Sequence, residues 1–338
     1  MLSSAILGSA EPAWLRPVPE RVHKAQEGTR PGYEGWVVDL VVGPGNLVGI
    51  RPRALEATLW SGRRKVETVR YEAPALAPPV AGHRYRLAPD AAASAIQRRF
   101  HLDEAFDLRL RFLRPAAWAV DRMNLRLEFD GSASPLSLEL PLDAYQPRTV
   151  LAFPLRGPAI LTQGPVQDGG HGGYSNQFAI DVLALGPNYE PQVDDRDRNE
   201  SYAGWDHPVL APAEGVVASC RNDVPDNPKP GTILQEAWAA LPDPVGAVAG
   251  NHLVIDHGNG ECSVLMHLRQ GSVAVKPGDR VKQGQVVGRL GSSGDSYGPH
   301  LHYQLQAGPR LFEDPSLPLR FANLPGFNPV RGVYFTPK

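Results

Sequence analysis

The sequence predicts an all-β protein built from two domains. Its 338 residues exceed what one hydrophobic core usually serves. Glycine and proline, 34 of each, are frequent enough to indicate many turns and short strands rather than long helices. Several segments alternate between apolar and charged residues, which is the period of a half-buried β-strand.

The first domain is predicted to be a β-sandwich of immunoglobulin-like shape at residues 31–150, after an irregular leader at 1–30. The apolar run Trp36–Val42 ends at a Gly-Pro-Gly turn signal. Period-two alternation recurs in three later segments, Asp107–Phe112, Asn124–Phe129 and Ser137–Leu142. Short strands separated by turns favour a sandwich, and only Ala91–Arg99 has the pattern of a short helix here.

Composition excludes several functional classes. Lysine and arginine number 34 and aspartate and glutamate 36, so the charge balance favours neither a nucleic-acid nor an anionic-membrane partner. No apolar run approaches the roughly 18 residues of a membrane span, and we find no basic and apolar secretory signal at the start.

Cys220 and Cys262 lie in no Cys-x-x-Cys motif, which excludes a thiol zinc site. Free thiols are favoured over one disulfide.

The second half carries most of the residues that could bind a metal or act in catalysis. Six of the ten histidines of the chain lie beyond residue 200. His300 and His302 are two residues apart on a predicted strand, so their side chains project from the same face. Such a pair is either a set of metal ligands, a catalytic pair or a chance of composition. His267 ends an apolar strand, where an isolated histidine is more often a core residue bonded to backbone. Asp181 lies in the apolar run Gln177–Leu183, and a buried carboxylate needs a partner. A zinc ion with histidine co-ligands and an open position for water would supply one.

These motifs resemble those of the lysostaphin- or LytM-type zinc endopeptidases, bacterial enzymes that cut peptide cross-links of peptidoglycan. The resemblance covers roughly residues 159–306. It is carried by Phe178-Ala179-Ile180-Asp181, Met266-His267-Leu268, the hairpin Val275–Gly288 and Pro299-His300-Leu301-His302. It implies a lysostaphin-type β-sheet metallopeptidase domain at 159–310, followed by a C-terminal extension at 311–338.

The resemblance also implies roles for individual residues. Asp181 and His302 would be zinc ligands, while His267 and His300 would be catalytic imidazoles that do not bind the metal. Zinc would lower the pKa of its water towards about 7 and polarise the scissile carbonyl. One imidazole would accept the water proton, and the other would stabilise the oxyanion or protonate the leaving amine. Spacing does not assign these two roles.

The chain departs from the family pattern at the first ligand. The family has a histidine four residues before the aspartate, where this chain has Gln177. His171, in a glycine-rich segment ten residues before Asp181, is predicted to serve as the third ligand instead. The alternative is a catalytically inactive relative that binds or activates a cell-wall hydrolase.

Three further expectations concern partners, location and loops. A peptidoglycan peptide is the expected substrate, and the family resemblance implies the cell envelope or the exterior. The long polar segments 185–206 and 221–250 are predicted either to line the substrate groove or to be ordered surface decoration. The hairpin at 275–288 also resembles biotinyl or lipoyl carrier domains, but no lysine follows it at the position that they modify.

Overall fold

The computed structural model describes residues 15–18, 21–26, 32–42, 52–72, 106–131, 134–165, 171, 175–192 and 194–338. Strands dominate these ranges, and the all-β prediction is confirmed. The helical elements within them are short, namely α1 (Gln235–Ala239), α2 (Pro244–Val248) and the 3₁₀ turns Ala116–Trp118 and Asn199–Ser201. None of the described helices is long and apolar enough to cross a membrane. The helix predicted at Ala91–Arg99 lies outside the described residues.

The first eight strands form one sheet. They are β1 (Leu15–Val18), β2 (Val22–Gln26), β3 (Tyr33–Val42), β4 (Pro52–Ser61), β5 (Arg64–Glu72), β6 (Phe106–Pro115), β7 (Arg122–Phe129) and β8 (Leu136–Ala144). Their order is β1-β3-β2-β8-β7-β4-β5, with β6 paired along β3. The pairing of β2 with β8 is parallel, and the others in this sheet are antiparallel.

Alternation along the strands builds the core of this sheet. In β7, Leu125 and Leu127 are buried while Arg126 between them is exposed, as predicted. Leu110 and Phe112 of β6 are also buried and belong to the same apolar cluster. Each such side chain contributes about 1.5–3 kcal/mol through burial. The immunoglobulin-like shape of this half stays a prediction.

The expectation of an irregular leader at residues 1–30 is wrong for two segments. β1 pairs with β3 from Leu15↔Val42 to Val18↔Asp39, and β2 pairs with β8. These segments have no clear period of their own. β1 has its hydrogen-bond partner in β3, and β2 has one of its two partners in the distant β8, so the local pattern did not reveal them.

Eleven strands follow in the second half. They are β9 (Ala159–Gln163), β10 (Ile180–Ala184), β11 (Pro208–Leu210), β12 (Gly215–Arg221), β13 (Asn251–Asp256), β14 (Cys262–Leu268), β15 (Arg280–Val281), β16 (Val286–Arg289), β17 (Leu301–Gln306), β18 (Ser316–Leu317) and β19 (Tyr334–Phe335). β11 and β16 pair with each other. The rest form a sheet of order β15-β12-β13-β14-β17-β10-β9-β19, with β18 beside β17.

The two faces of the second sheet bury different apolar clusters. Leu301, Tyr303 and Leu305 of β17 belong to a cluster that includes residues of β11, β16 and the C-terminal segment. On the opposite face, Val264 and Met266 of β14 share a cluster with residues of α1 and α2. This second face carries the candidate site.

Residues 311–338, expected to be an extension, contribute to the sheet and its core. β18 pairs with β17, and β19 pairs with β9. The ring of Phe153 packs edge-on against three aromatic rings of this segment, those of Phe321, Phe327 and Phe335. The domain boundaries themselves stay predictions.

A buried carboxylate holds the connection between the two halves. Glu261, with none of its surface exposed, accepts hydrogen bonds from the hydroxyls of Tyr145 and Thr149 and from the backbone N–H groups of Arg148 and Thr149. Burial alone would raise the pKa of Glu261, but these hydrogen bonds outweigh it and hold the pKa below its usual value. Tyr145, Arg148 and Thr149 therefore form their strongest hydrogen bonds with Glu261 when its carboxylate is ionised.

The change Glu261→Gln is expected to lower the free energy of unfolding by about 1–3 kcal/mol at pH 7, because the amide nitrogen meets donors rather than acceptors. Folding lowers the Glu261 pKa, so its contribution is present above the ordinary pKa of about 4.3 and is lost as the pH falls through the folded-state pKa. Urea unfolding at pH 7 and below pH 4 should show the wild-type advantage shrinking in acid. The exposed carboxylate of Glu214 provides the control: Glu214→Gln should leave the free energy of unfolding unchanged both at pH 7 and below pH 4. An equal effect of the two changes would contradict the anchoring role.

Candidate active site

Asp181 and His302 face each other on adjacent strands. The antiparallel register of β10 and β17 pairs these two residues, which puts their side chains on one face of the sheet. His302 Nδ1 lies 3.0 Å from Asp181 Oδ1. Ile180 and Val182, the chain neighbours of Asp181, are fully buried. They point into the core of the opposite face, whereas the Asp181 side chain is 13% exposed, so polar partners must offset most of its lost solvation.

His171 joins this pair from the loop between β9 and β10. Its Nε2 lies 3.2 Å from Asp181 Oδ1, and its Nδ1 lies 3.2 Å from the carbonyl oxygen of Ala179. The structure thus brings together His171, Asp181 and His302, whose ligand atoms all lie within 4.8 Å of one another. These are the three residues that were predicted as metal ligands.

His300 approaches the same carboxylate from the residue before β17. Its Nδ1 lies 2.9 Å from the carbonyl oxygen of Gly298 and 3.1 Å from Ser296 Oγ. Its Nε2 lies 3.7 Å from Asp181 Oδ1. Because a carbonyl only accepts, the ring donates through Nδ1 and directs Nε2 toward the cluster.

His267 reaches this face through a β-bulge. One residue separates Asn251 from Leu253 on β13, whereas two residues separate their partners Leu268 and Leu265 on β14. The backbone of His267 has φ 62°, in the left-handed region that residues other than glycine rarely adopt. The extra residue interrupts the alternation, so Leu265 and Leu268 enter the same core cluster. In a regular strand, His267 would point into that core.

The redirected His267 ring lies beside the other imidazoles. Its centre is 4.7 Å from that of His300 and 6.0 Å from that of His302. Its Nδ1 donates to the Ser293 carbonyl at 2.9 Å, which leaves Nε2 as an acceptor. All five residues predicted for the site are therefore neighbours.

The chemistry of the donor atoms fits a cation. The Ala179 carbonyl only accepts, so neutral His171 carries its proton on Nδ1 and directs an Nε2 lone pair at Asp181. His302 Nε2 lies 3.0 Å from the amide oxygen of Gln304, which leaves Nδ1 unprotonated. When both rings are neutral, one nitrogen lone pair of each therefore faces Asp181 Oδ1, at 3.0 Å from His302 Nδ1 and 3.2 Å from His171 Nε2. Ligand atoms of a tetrahedral zinc lie about 3.3–3.6 Å apart, so small shifts of these three side chains, whose ligand atoms lie within 4.8 Å of one another, would accommodate that ion.

Neighbouring charges set the protonation of the site. Burial alone would raise the pKa of Asp181, but the positive charge that His171 and His300 can carry outweighs it and holds this pKa well below its usual value. The pKa of His267 is also well below its usual value, first because of burial and then because of His300 and His302. The site therefore combines an ionised carboxylate with a neutral His267.

The five side chains line a cleft of about 630 Å³. Tyr202 of the segment 185–206 and Val248 of the segment 221–250 also line it, so each long polar segment contributes to its walls. The second segment is not only a surface feature, because Trp238 within it is buried in the core. The influence of these segments on substrate choice stays a prediction.

Sequence reasoning missed four residues near the site. Asp295 and Tyr297 line the cleft from the loop before His300; burial raises the pKa of Asp295, and Tyr297 is 71% exposed. Gln304 and Gln306 follow His302 at a spacing of two, and both are buried. That spacing was the available signal, because alternate residues of a strand share a face.

Other candidates lie outside the cluster. Gln177 is buried, and its amide oxygen has no hydrogen-bond partner in the described part of the chain. His257 contacts the Glu214 carbonyl at 2.7 Å and the Ser263 hydroxyl at 2.8 Å, so both of its ring nitrogens have partners outside the cluster. Both cysteines are free thiols, as favoured.

The second half of the chain is similar to known peptidases. Residues 202–313 match the model of Peptidase family M23, so the resemblance to lysostaphin-type peptidases is confirmed for this range. Peptidoglycan DD-endopeptidase ShyA of Vibrio cholerae is 46% identical over 57 residues, which are 17% of this chain and 13% of that protein. ShyC, a peptidoglycan DD-endopeptidase of the same organism, is 42% identical over 71 residues, which are 20% of this chain and 16% of that protein. A solved catalytic domain of the M23 protein EnpA from Enterococcus faecalis is 22% identical, with a TM-score of 0.31, over 50% of this chain and 94% of its own.

These similarities cover only part of each protein. The chain spans 13% and 16% of the two Vibrio relatives, far below two thirds of their length. The family match includes His267, His300 and His302, whereas His171 and Asp181 lie upstream of it. Roles for the upstream residues therefore depend on the geometry of the cluster.

Proposed function

We propose, from the match of residues 202–313 to Peptidase family M23, that this chain is a zinc-dependent endopeptidase acting on bacterial peptidoglycan. The observation that carries the proposal is the convergence of His171, Asp181 and His302, whose possible ligand atoms lie within 4.8 Å of one another. Two further imidazoles, those of His267 and His300, stand beside this group. A merely structural cluster would not require five polar side chains on one wall of a cleft.

His171 Nε2, Asp181 Oδ1 and His302 Nδ1 are the proposed ligand atoms. A zinc ion held by two imidazoles and a carboxylate supplies Lewis acidity at the scissile carbonyl and an acidified water as nucleophile. Asp181, ionised at neutral pH, also offsets the positive charge at this point of the cleft. The contact of His171 Nδ1 with the Ala179 carbonyl orients its ring, as outer-shell partners of metal ligands commonly do.

His267 and His300 are the proposed proton-transfer groups. Each is oriented by a hydrogen bond from Nδ1 to a backbone carbonyl, that of Ser293 for His267 and that of Gly298 for His300. Each therefore presents Nε2 as an acceptor. One accepts the proton of the attacking water, and the other, once protonated, stabilises the developing oxyanion or protonates the departing amine.

The peptide cross-links of peptidoglycan are the proposed substrate, and the cell envelope or the exterior is the proposed place of action. Both follow from the two Vibrio relatives, whose names describe peptidoglycan DD-endopeptidases. The cleft suits an extended peptide because its walls combine polar groups such as Gln163 and Asn176 with apolar ones such as Phe312.

Metal analysis combined with digestion of purified peptidoglycan tests the proposal. We expect about one zinc per chain and release of soluble cross-link fragments, detected by mass spectrometry. A chelator should abolish this release, and added zinc should restore it. A chain that holds no zinc, or that holds zinc and releases nothing, would contradict the proposal and favour the inactive binding module.

A further inference from the structure

A row of polar side chains runs along one face of β17. His302, Gln304 and Gln306 alternate with the core residues of the opposite face. Their residues are only 5%, 1% and 0% exposed. Across the β14–β17 pairing they stand opposite apolar or weakly polar residues, with Val264 against Gln304 and Met266 against His302. Any of these polar groups left without a partner would be costly, because so little of their surface meets water.

Backbone carbonyls determine the direction of the hydrogen bonds in this row. Gln306 Nε2 donates to the carbonyl oxygens of Gly308 at 2.7 Å and Arg310 at 3.3 Å. A carbonyl cannot donate, so the nitrogen of the Gln306 amide must face these two groups. Its oxygen then accepts from Gln304 Nε2 at 2.7 Å.

Gln304 passes this polarity to the histidine. Its second amide hydrogen goes to the Ser175 carbonyl at 2.9 Å. Its oxygen is left facing His302 Nε2 at 3.0 Å. An amide oxygen accepts only, so His302 must carry a proton on Nε2. Every amide hydrogen of the two glutamines has an acceptor, which makes the opposite orientation unfavourable throughout the row.

We propose that Gln304 and Gln306 are positioning residues that fix the tautomer of His302. They keep its Nδ1 lone pair directed at Asp181, the orientation that metal binding requires. The inference rests on the proposed function, since it assumes that His302 is a metal ligand. Without this row, the neutral ring would place its proton on Nδ1 and donate it to Asp181, in competition with the cation.

Substitutions at Gln304 separate positioning from packing. Gln304→Met keeps the length of the side chain but removes the acceptor. We expect zinc affinity, measured by chelator competition, to fall about 10- to 100-fold. Gln304→Glu keeps an oxygen acceptor for His302 Nε2–H but loses the donors to the Ser175 carbonyl and to Gln306 Oε1, so it should restore part of that affinity. A packing role predicts the reverse order, because methionine suits an apolar neighbourhood and a buried carboxylate does not.

Two readouts complete the test. Ring ¹⁵N shifts of His302 in the metal-free protein, at a pH where the ring is neutral, should show the proton on Nε2 in wild type and on Nδ1 in Gln304→Met. Gln306→Met, the same change at a residue that does not touch His302, should cost less affinity than Gln304→Met. Equal affinity of wild type and Gln304→Met, or tighter binding by Gln304→Met than by Gln304→Glu, would overturn the inference. Failure of the wild type to bind zinc would instead overturn the proposed function.

Discussion

Replacement of His171 by alanine is expected to remove tightly bound zinc and, with it, peptidoglycan hydrolysis. The change deletes one of the two imidazole lone pairs that face Asp181, leaving two protein ligands where three are needed for a catalytic zinc site. The loss of zinc affinity should exceed the roughly 10- to 100-fold that removal of an outer-shell partner costs. Zinc per chain and chelator-competition affinity measure the effect. His302→Ala should behave in the same way.

His207→Ala is the matched control for this experiment. His207 is also a histidine of the second half, but it lies outside the cluster and the cleft. Its replacement should leave both zinc content and hydrolysis unchanged. Wild-type zinc affinity in His171→Ala would mean that His171 is not a ligand, and the departure from the family pattern at Gln177 would then argue for an inactive relative.

Replacement of His267 by alanine is expected to leave zinc bound and to lower kcat by roughly 10²- to 10⁴-fold. His267 does not contact Asp181 as His302 does, and its ring lies beside that of His300. Its pKa is well below the usual value, so the ring is neutral at pH 7 and has a lone pair with which to accept a proton. Loss of a proton-transfer group affects the chemical step more than substrate binding, so KM should change little. Steady-state cleavage of a defined cross-linked peptide, combined with metal analysis, measures both quantities.

The left-handed backbone of His267 provides an internal control. Glycine adopts this conformation without the roughly 1–2 kcal/mol cost that other residues incur, so His267→Gly should unfold at a higher urea concentration than His267→Ala. If the imidazole carries out the chemistry, both variants should be equally inactive. Recovery of activity in the more stable glycine variant would show that the alanine variant had failed for a structural reason.

Much of the fold followed from local sequence pattern. Alternation predicted the buried face of β7, where Leu125 and Leu127 flank the exposed Arg126. The apolar run around Asp181 predicted a buried strand with a carboxylate that needs partners. These predictions succeed because side chains of a regular strand alternate between its two faces, so their direction follows from position along the chain. β1 and β2 escaped notice because they have no clear period of their own, and β8, one partner of β2, is distant in sequence.

The site was predicted as a set of residues, and their arrangement came from the structure. The family resemblance, rather than any spacing, suggested that His171 takes the role of the missing histidine at position 177. Its approach to Asp181 depends on the path of the loop between β9 and β10. For His267, the local pattern favoured a core orientation, and the bulge opposite β13 reversed it. No period in the sequence marks that bulge.

The amino-acid sequence by itself determined which chemical groups this protein has and which strands carry them: one carboxylate in an apolar strand, a His-x-His pair and a histidine at a strand end. Only the tertiary structure decided which atoms of those groups meet. Register set Asp181 against His302, and the carbonyl of Ser175, 129 residues before Gln304, accepts a hydrogen bond from the amide of that glutamine. The reason is physical: burial of a side chain follows a local repeat, whereas a hydrogen bond needs a partner that folding brings from elsewhere in the chain.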